Sequence, residues 1–317
     1  MLDKFKKQQN WIISLSFVVT VYLVFFFNVD ITRYRIFQEL WNLGHIILFI
    51  GINYFVYKKL VNPLKLPIII ELLLIIISSC VIGYTIEILQ TFTGRNKSNY
   101  DVLLDMVGGG VAFYLFSKKL NVTRGYLKYG LSFLVLTFTI VSLYPMYVNV
   151  VDAINQNNDF PVLLSNTNKR EITRLKIDKT EVAVIEKKIS GVLSHVLKIT
   201  FNPAKYPTVG LQSFNEKWTG FNSLVFSIYN PAPISSVIIM RIHDREHKTN
   251  NFEFNDRFNY RIKLKTGWNK VRVNLAKIKS APLNREMNMD KIEGLMFFKI
   301  NLKNPETLYF SEIKLIK

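Results

Sequence analysis

Up to about residue 150 the apolar residues fall in long runs, and beyond it they alternate with polar ones at every second position. The first pattern predicts membrane-spanning helices and the second predicts half-buried strands. Five runs read as spans: residues 11–29, 41–56, 67–89, 101–116 and 129–150. The first follows a basic start and so also fits a secretory signal. Phe25-Phe-Phe-Asn28 offers no small-residue cleavage site, however, and we read an uncleaved anchor. Residues 151–159 form a polar linker. Strands are then expected at 172–177, 181–186, 192–201, 209–214, 223–229, 236–242, 257–264, 270–275, 294–300 and 307–315. Turn pairs such as Asn202-Pro203, Asn230-Pro231 and Thr266-Gly267 separate several of them. The expected fold is a multi-pass α-helical membrane domain of five transmembrane helices (1–150), followed by an all-β sandwich of the jelly-roll kind (160–317).

A formal charge of +18 would suggest nucleic acid in a soluble protein. Its distribution argues otherwise. Residues 1–150 carry 14 Lys/Arg against 7 Asp/Glu, and that excess lies in short loops between the apolar runs. Lys4/Lys6/Lys7, Lys58/Lys59/Lys65 and Lys118/Lys119/Arg124/Lys128 fall on one side of the spans, which the positive-inside rule makes cytoplasmic. Five crossings then place the N-terminus inside and residues after 150 outside the membrane. Residues 151–317 carry 27 basic against 16 acidic groups, spread through alternating sequence. An anionic envelope polymer is a better match to that face than DNA, so no nucleic-acid partner is expected. Cys80 is the one cysteine, so no intrachain disulfide can form. No Cys/His cluster has zinc-site spacing, and no cofactor is expected.

Polar residues gather where the third run ends and the fourth begins. Glu87 and Gln90 lie three apart on one helical face, and Arg95 and Ser98 sit in the turn. Asp101 and Asp105 lie one turn apart on the next helix, followed by Gly108-Gly-Gly110. The topology puts His45, at the start of the second run, at the same depth. Ionisable groups at such positions are expensive and mark candidate sites. Each residue also has a simpler role. Asp101 could cap a helix, and Glu87 with Arg95 could close the hairpin as an ion pair. The glycines could serve close helix packing, since no nucleotide-loop lysine follows them. Asp105, inside the run, most needs a partner.

The sequence Glu87-x-x-Gln90, Gly94-Arg95, Ser98, Asp101 and Gly108, with His45 at the start of a span, resembles the signature of the VanZ-like membrane protein family over about residues 11–145. The chain departs from that pattern at Asp105, where the family commonly has asparagine. It departs again at Trp41-Asn-Leu-Gly-His45, which lacks the family's Asp-Lys pair before the histidine. The resemblance implies a bacterial envelope protein, with a founding example associated with resistance to the glycopeptide antibiotic teicoplanin.

In the second half, Trp218-Thr-Gly-Phe221 through Pro231, Met240-Arg-Ile-His-Asp244, Asp256-Arg-Phe258, Gly267-Trp-Asn269 and Leu308 to Leu315 follow an order that resembles galactose-binding-like jelly rolls, among them carbohydrate-binding modules. The resemblance implies sugar-stacking roles for Trp218, Phe221 and Trp268; the same aromatics could instead fill the core. The expected function is non-enzymatic. The membrane site would hold a lipid or lipid-linked glycan headgroup, and the outer domain would bind envelope polysaccharide or an extracytoplasmic protein. A membrane enzyme acting on a lipid-linked substrate is the alternative, with Glu87 or an aspartate as base and Arg95 on an anionic group. A third possibility is a scaffold whose hairpin only locks helices together.

Overall fold

A computed structural model describes residues 35–92, 97–123, 125–189 and 192–317. The expected span at 11–29 and Arg95 lie outside these residues. The chain divides into two compact units, Met1–Val150 and Val151–Lys317.

The first unit is helical. Helix α1 (Arg35–Val56) continues through a π turn and a 3-10 turn to Leu64, and α2 spans Ile68–Thr91. Helix α3 (Asn99–Phe116) packs on both of them; a short α4 (Lys118–Val122) and the long α5 (Tyr126–Asp159) follow. Three helical segments among the described residues are long and apolar enough to cross a membrane: Arg35–Leu64, Ile68–Thr91 and Tyr126–Asp159. Helix α3, expected as the fourth span, is not among them. It has 18 residues and carries two aspartates and three consecutive glycines, which shorten and dilute its apolar run. Among the described residues three of the expected spans are thus long and apolar enough to cross, and the count of five is not confirmed.

Helix α2 has two dissimilar faces. Leu73, Ile77, Val81, Tyr84 and Ile88 are exposed, whereas Ser79, Gly83, Glu87 and Gln90 are buried against the rest of the unit. A water-soluble helix would reverse this arrangement, turning its apolar stripe to the core. In lipid the polar face must turn inward, because hydrocarbon offers it no hydrogen bonds. Residues 151–159, read as a linker, instead form the last turns of α5, where Asp152 finds a buried partner in Arg174.

The second unit is a β-sandwich of two antiparallel sheets. One contains β1 (Val162–Leu164), β3 (Thr180–Ile189), β4 (Val192–Phe201), β6 (Ser223–Asn230), β9 (Gly267–Asn274), β11 (Glu306–Phe310) and β12 (Ile313–Ile316). The other has the order β2 (Leu175–Asp178), β5 (Thr208–Leu211), β10 (Ile292–Phe298), β7 (Ser236–Asp244) and β8 (Phe258–Leu264). A short helix, α6 (Leu275–Lys279), follows β9. Alternate residues point inward, so that Phe226, Phe297 and Phe310 meet at the centre with ring centroids 4.9–6.4 Å apart. Strands β11 and β12 both pair with β6, with the register displaced by one residue at Ser311–Glu312. The single strand expected over 307–315 is thus interrupted by a bulge, held by the Ser227 amide donating to Ser311 Oγ at 2.8 Å.

Candidate functional site

In the helical unit, α1 and α3 meet at His45, and Gly83 brings α2 against Asp105. Its Nδ1 lies 3.0 Å from Asp105 Oδ1, and its Nε2 lies 3.9 Å from Asp101 Oδ2. The imidazole is thereby held between two carboxylates of α3. Ser98 caps that helix, its hydroxyl accepting from the Asp101 amide at 3.2 Å, so Asp101 itself is not the cap. The Ser98 amide donates to Glu87 Oε2 at 2.6 Å, bringing the end of α2 onto the start of α3. A carboxylate there meets the free amides and the positive end of the helix dipole. Gln90 is buried on the same face as Glu87.

The close approach of the helices depends on glycine. A Cβ on Gly108 would lie 2.6 Å from the Ile46 carbonyl oxygen, and one on Gly83 would overlap Asp105 Oδ2. His45, Glu87 and Asp105 are buried, while the Asp101 side chain is 13% exposed, making it the least enclosed member of the group. Chemically, such a histidine can pass a proton between carboxylates or present a fixed donor to a polar headgroup. The pairing of Glu87 with Arg95 falls outside the described residues. Two further polar contacts were not foreseen. Glu71 pairs with Lys119 at 2.7 Å, and Asn149 bridges Arg35 and Glu39 at 2.7 Å on each side. Glu71 stood out in the sequence as the other acidic residue of its apolar run, but its partner lay 48 positions away.

In the β-sandwich, the three expected stacking residues separate. Trp218 is fully enclosed and donates its indole N–H to the Asn215 carbonyl at 3.1 Å; its ring is core, because the large apolar face packs between the sheets. Phe221 is half-buried against Phe160, with ring centroids 5.4 Å apart. Trp268 is 36% exposed on the outer face of the larger sheet. There it pairs across strands with Tyr229, and Tyr229 pairs with Tyr309. The centroids are 5.4 and 6.1 Å apart, forming one aromatic row over β9, β6 and β11. Lys187 closes the row, its Nζ 3.7 Å from the Tyr309 ring centroid. The sequence placed these tyrosines on strands, but only the register across strands puts them beside Trp268.

No family model matches the chain, and no curated protein matches it. Among solved structures, the β-sandwich is similar to carbohydrate-binding modules. A family 11 module from Clostridium thermocellum, in complex with a β-1,3-1,4-mixed-linked tetrasaccharide, is 12% identical; the match covers 49% of this chain and 94% of that one, with a TM-score of 0.37. A family 29 module mutant is 11% identical, over 48% of this chain and 87% of that one, with a TM-score of 0.31. An exo-β-agarase is 14% identical over 49% of this chain, with a TM-score of 0.39, and the match spans 24% of the agarase.

Proposed function

We propose that the protein is a membrane-anchored polysaccharide-binding protein of the bacterial envelope. The observation that carries this reading is the aromatic row Trp268–Tyr229–Tyr309 on the outer face of the larger sheet, exposed at Trp268, half-buried at Tyr229 and buried at Tyr309 under Lys187. Adjacent strands lie about 5 Å apart, so the exposed Trp268 ring stands at one end of a line that Tyr229 continues, a platform suited to stacking a sugar. In this reading the helices anchor the protein in the cytoplasmic membrane with the N-terminus inside and the sandwich outside. The VanZ-like resemblance is part of the same reading and rests on the sequence motif, as does any link to a glycopeptide response. The polar group around His45 then serves a lipid or lipid-linked glycan headgroup, with Asp101 as its accessible edge.

The test is binding by the full chain in detergent to a panel of polysaccharides that includes the β-1,3-1,4-mixed-linked tetrasaccharide. Trp268→Ala is expected to weaken binding about tenfold, or ~1.4 kcal/mol, while leaving the folded yield unchanged. Equal binding by that variant and the parent, or no binding to any member, rejects the proposal.

One observation favours the alternative, a membrane enzyme acting on a lipid-linked envelope substrate. A histidine fixed between two aspartates is a suitable proton relay for general acid–base chemistry. Asp105→Asn keeps the shape and removes the charge. If lipid-linked glycan is consumed by the parent in reconstituted membranes and not by this variant, the enzyme reading replaces the binding one.

A further inference from the structure

The smaller sheet turns a different chemistry to solvent. Arg241 and His243 alternate along β7 with the core residues Met240 and Ile242, so both lie on the outer face. Asn259 pairs with Arg241 across β8, and Arg257 lies one residue beyond the Ile242–Phe258 pair, beside His243. Arg241 and Arg257 are both half-buried, and each Nε is buried without a hydrogen-bond partner. Neither guanidinium has a carboxylate within ion-pair distance among the described residues. The nearby carboxylates are already committed: Asp244 and Asp256 both bind Arg285, at 2.6–2.9 Å.

Buried charges are ordinarily paired, so two unpaired arginines side by side are unusual. They are also held in place. The Arg257 guanidinium lies 5.0 Å from the Phe254 ring centroid, and the His243 ring packs against Gly294, where any Cβ would displace it. His243 is 8% exposed with Nδ1 unpartnered. His247 is fully buried, its Nδ1 3.2 Å from Asp256 and its Nε2 unpartnered. The two imidazole rings are 5.1 Å apart. Burial, then the neighbouring Arg241, His247 and Arg257, push the His243 pKa down to about 3, so it stands as a neutral hydrogen-bonding group. Burial and the neighbouring Arg257 bring Arg241 down to about 10, which leaves it charged at neutral pH.

We propose that Arg241 and Arg257, with His243 and Asn259 beside them, form a binding site for an oxyanion: the carboxylate, sulfate or phosphate group of an acidic glycan, or the corresponding free anion. Two planar forks on one face, close enough that the Arg257 charge acts on Arg241, suit bidentate recognition of such a group. The site lies on the opposite sheet from the aromatic row and does not depend on it.

The experiment titrates the full chain in detergent with sodium sulfate, sodium phosphate and oligogalacturonate, against sodium chloride at matched ionic strength and a neutral oligosaccharide. Saturable binding of at least one of the three, absent with chloride, is expected. Arg241→Gln and Arg257→Gln should each weaken it about tenfold. Without added anion both variants should melt at the parent's temperature or above it, because each removes an unpaired charge. Trp268→Ala should bind the anion like the parent, which separates this site from the polysaccharide reading. Tighter binding of oligogalacturonate than of the small anions assigns the site to a glycan, and the reverse assigns it to the free anion. No saturable binding, variants that bind like the parent, or variants that melt well below it overturn the proposal.

Discussion

Arg174 is buried in the β-sandwich unit, and its guanidinium forks onto Asp152 through Nε at 2.9 Å and Nη2 at 3.0 Å. Its Nη1 donates to the Leu163 carbonyl at 3.2 Å. A satisfied buried pair adds little over an apolar replacement, whereas removing one partner strands a charge at a cost of ~3–5 kcal/mol. Asp152→Ala should therefore lower the unfolding free energy by about that amount. The double variant Asp152→Ala/Arg174→Met should recover most of it in chemical denaturation; a double variant as unstable as the single one would contradict the argument. His243 gives a second expectation. Its folded pKa is about 3, below the ordinary histidine value, so between roughly pH 6.5 and 3 the unfolded chain binds more protons. Stability is then fully present above pH 6.5 and falls as pH drops through that window. His243→Asn should flatten the dependence of melting temperature on pH between about 6.5 and 5, above the range in which ordinary Asp and Glu titrate. Neither pair nor shift was legible in the sequence, because Asp152 and Arg174 are 22 positions apart and burial depends on the fold.

At the scale of elements, the apolar runs and the alternation located most helices and strands, although α1 starts six residues before the expected 41, α5 runs nine beyond the expected 150, and β1 and the short α6 were not expected. Strand β4 falls at the expected 192–201, and α2, at Ile68–Thr91, differs slightly from 67–89. The departures have local causes. Asn168 caps a 3-10 turn over Lys169–Arg174, so the strand expected at 172–177 starts only at Leu175. Ser311 makes the bulge that divides the last strand. The polar face of α2 was legible from the i, i+3 spacing of Glu87 and Gln90. That His45 reaches Asp105 was implied only by shared depth, since periodicity gives each helix's face but not its neighbour. The glycines of α3 were legible as packing residues, and this yields an expectation. Gly108→Val would push α3 away from the α1 backbone and should sharply reduce the folded, detergent-extractable yield. Gly130→Val, where an added Cβ meets nothing within 4 Å, should leave yield within about twofold of the parent because exposed sites tolerate substitution. Equal yields from the two variants would mean that the close α1–α3 contact does not limit assembly.

For the whole molecule, the side of the membrane on which the sandwich lies turns on α3. At 1.5 Å per residue its 18 residues extend about 27 Å, just under the ~30 Å of hydrocarbon. If α3 crosses, the run at 11–29 together with α1, α2, α3 and α5 gives an odd number of crossings, and the sandwich lies opposite the N-terminus. If it does not, the number is even and the two share a side. Helix α3 is enclosed by α1 and α2, with Val102, Leu104, Asp105, Val107, Gly108, Gly109 and Gly110 all buried. A helix sheathed by its neighbours need not be apolar enough to face lipid, because its aspartates turn to His45 within the protein. The basic groups Lys58/Lys59/Lys65 and Lys118/Lys119/Lys128 then flank α1–α2 and α3–α5 on the same side, as the positive-inside rule requires only when α3 crosses. Replacing Cys80 with serine leaves a cysteine-free chain into which one reporter can be placed at Lys263, an exposed residue of β8. Lys263→Cys should react with a membrane-impermeant maleimide in intact cells whose outer barrier has been opened. A reporter at Lys59→Cys, in the exposed turn after α1, should react only after the cytoplasmic membrane is permeabilised. Labelling of Lys263→Cys only after that permeabilisation would place the sandwich in the cytoplasm, where an envelope polysaccharide could not reach it.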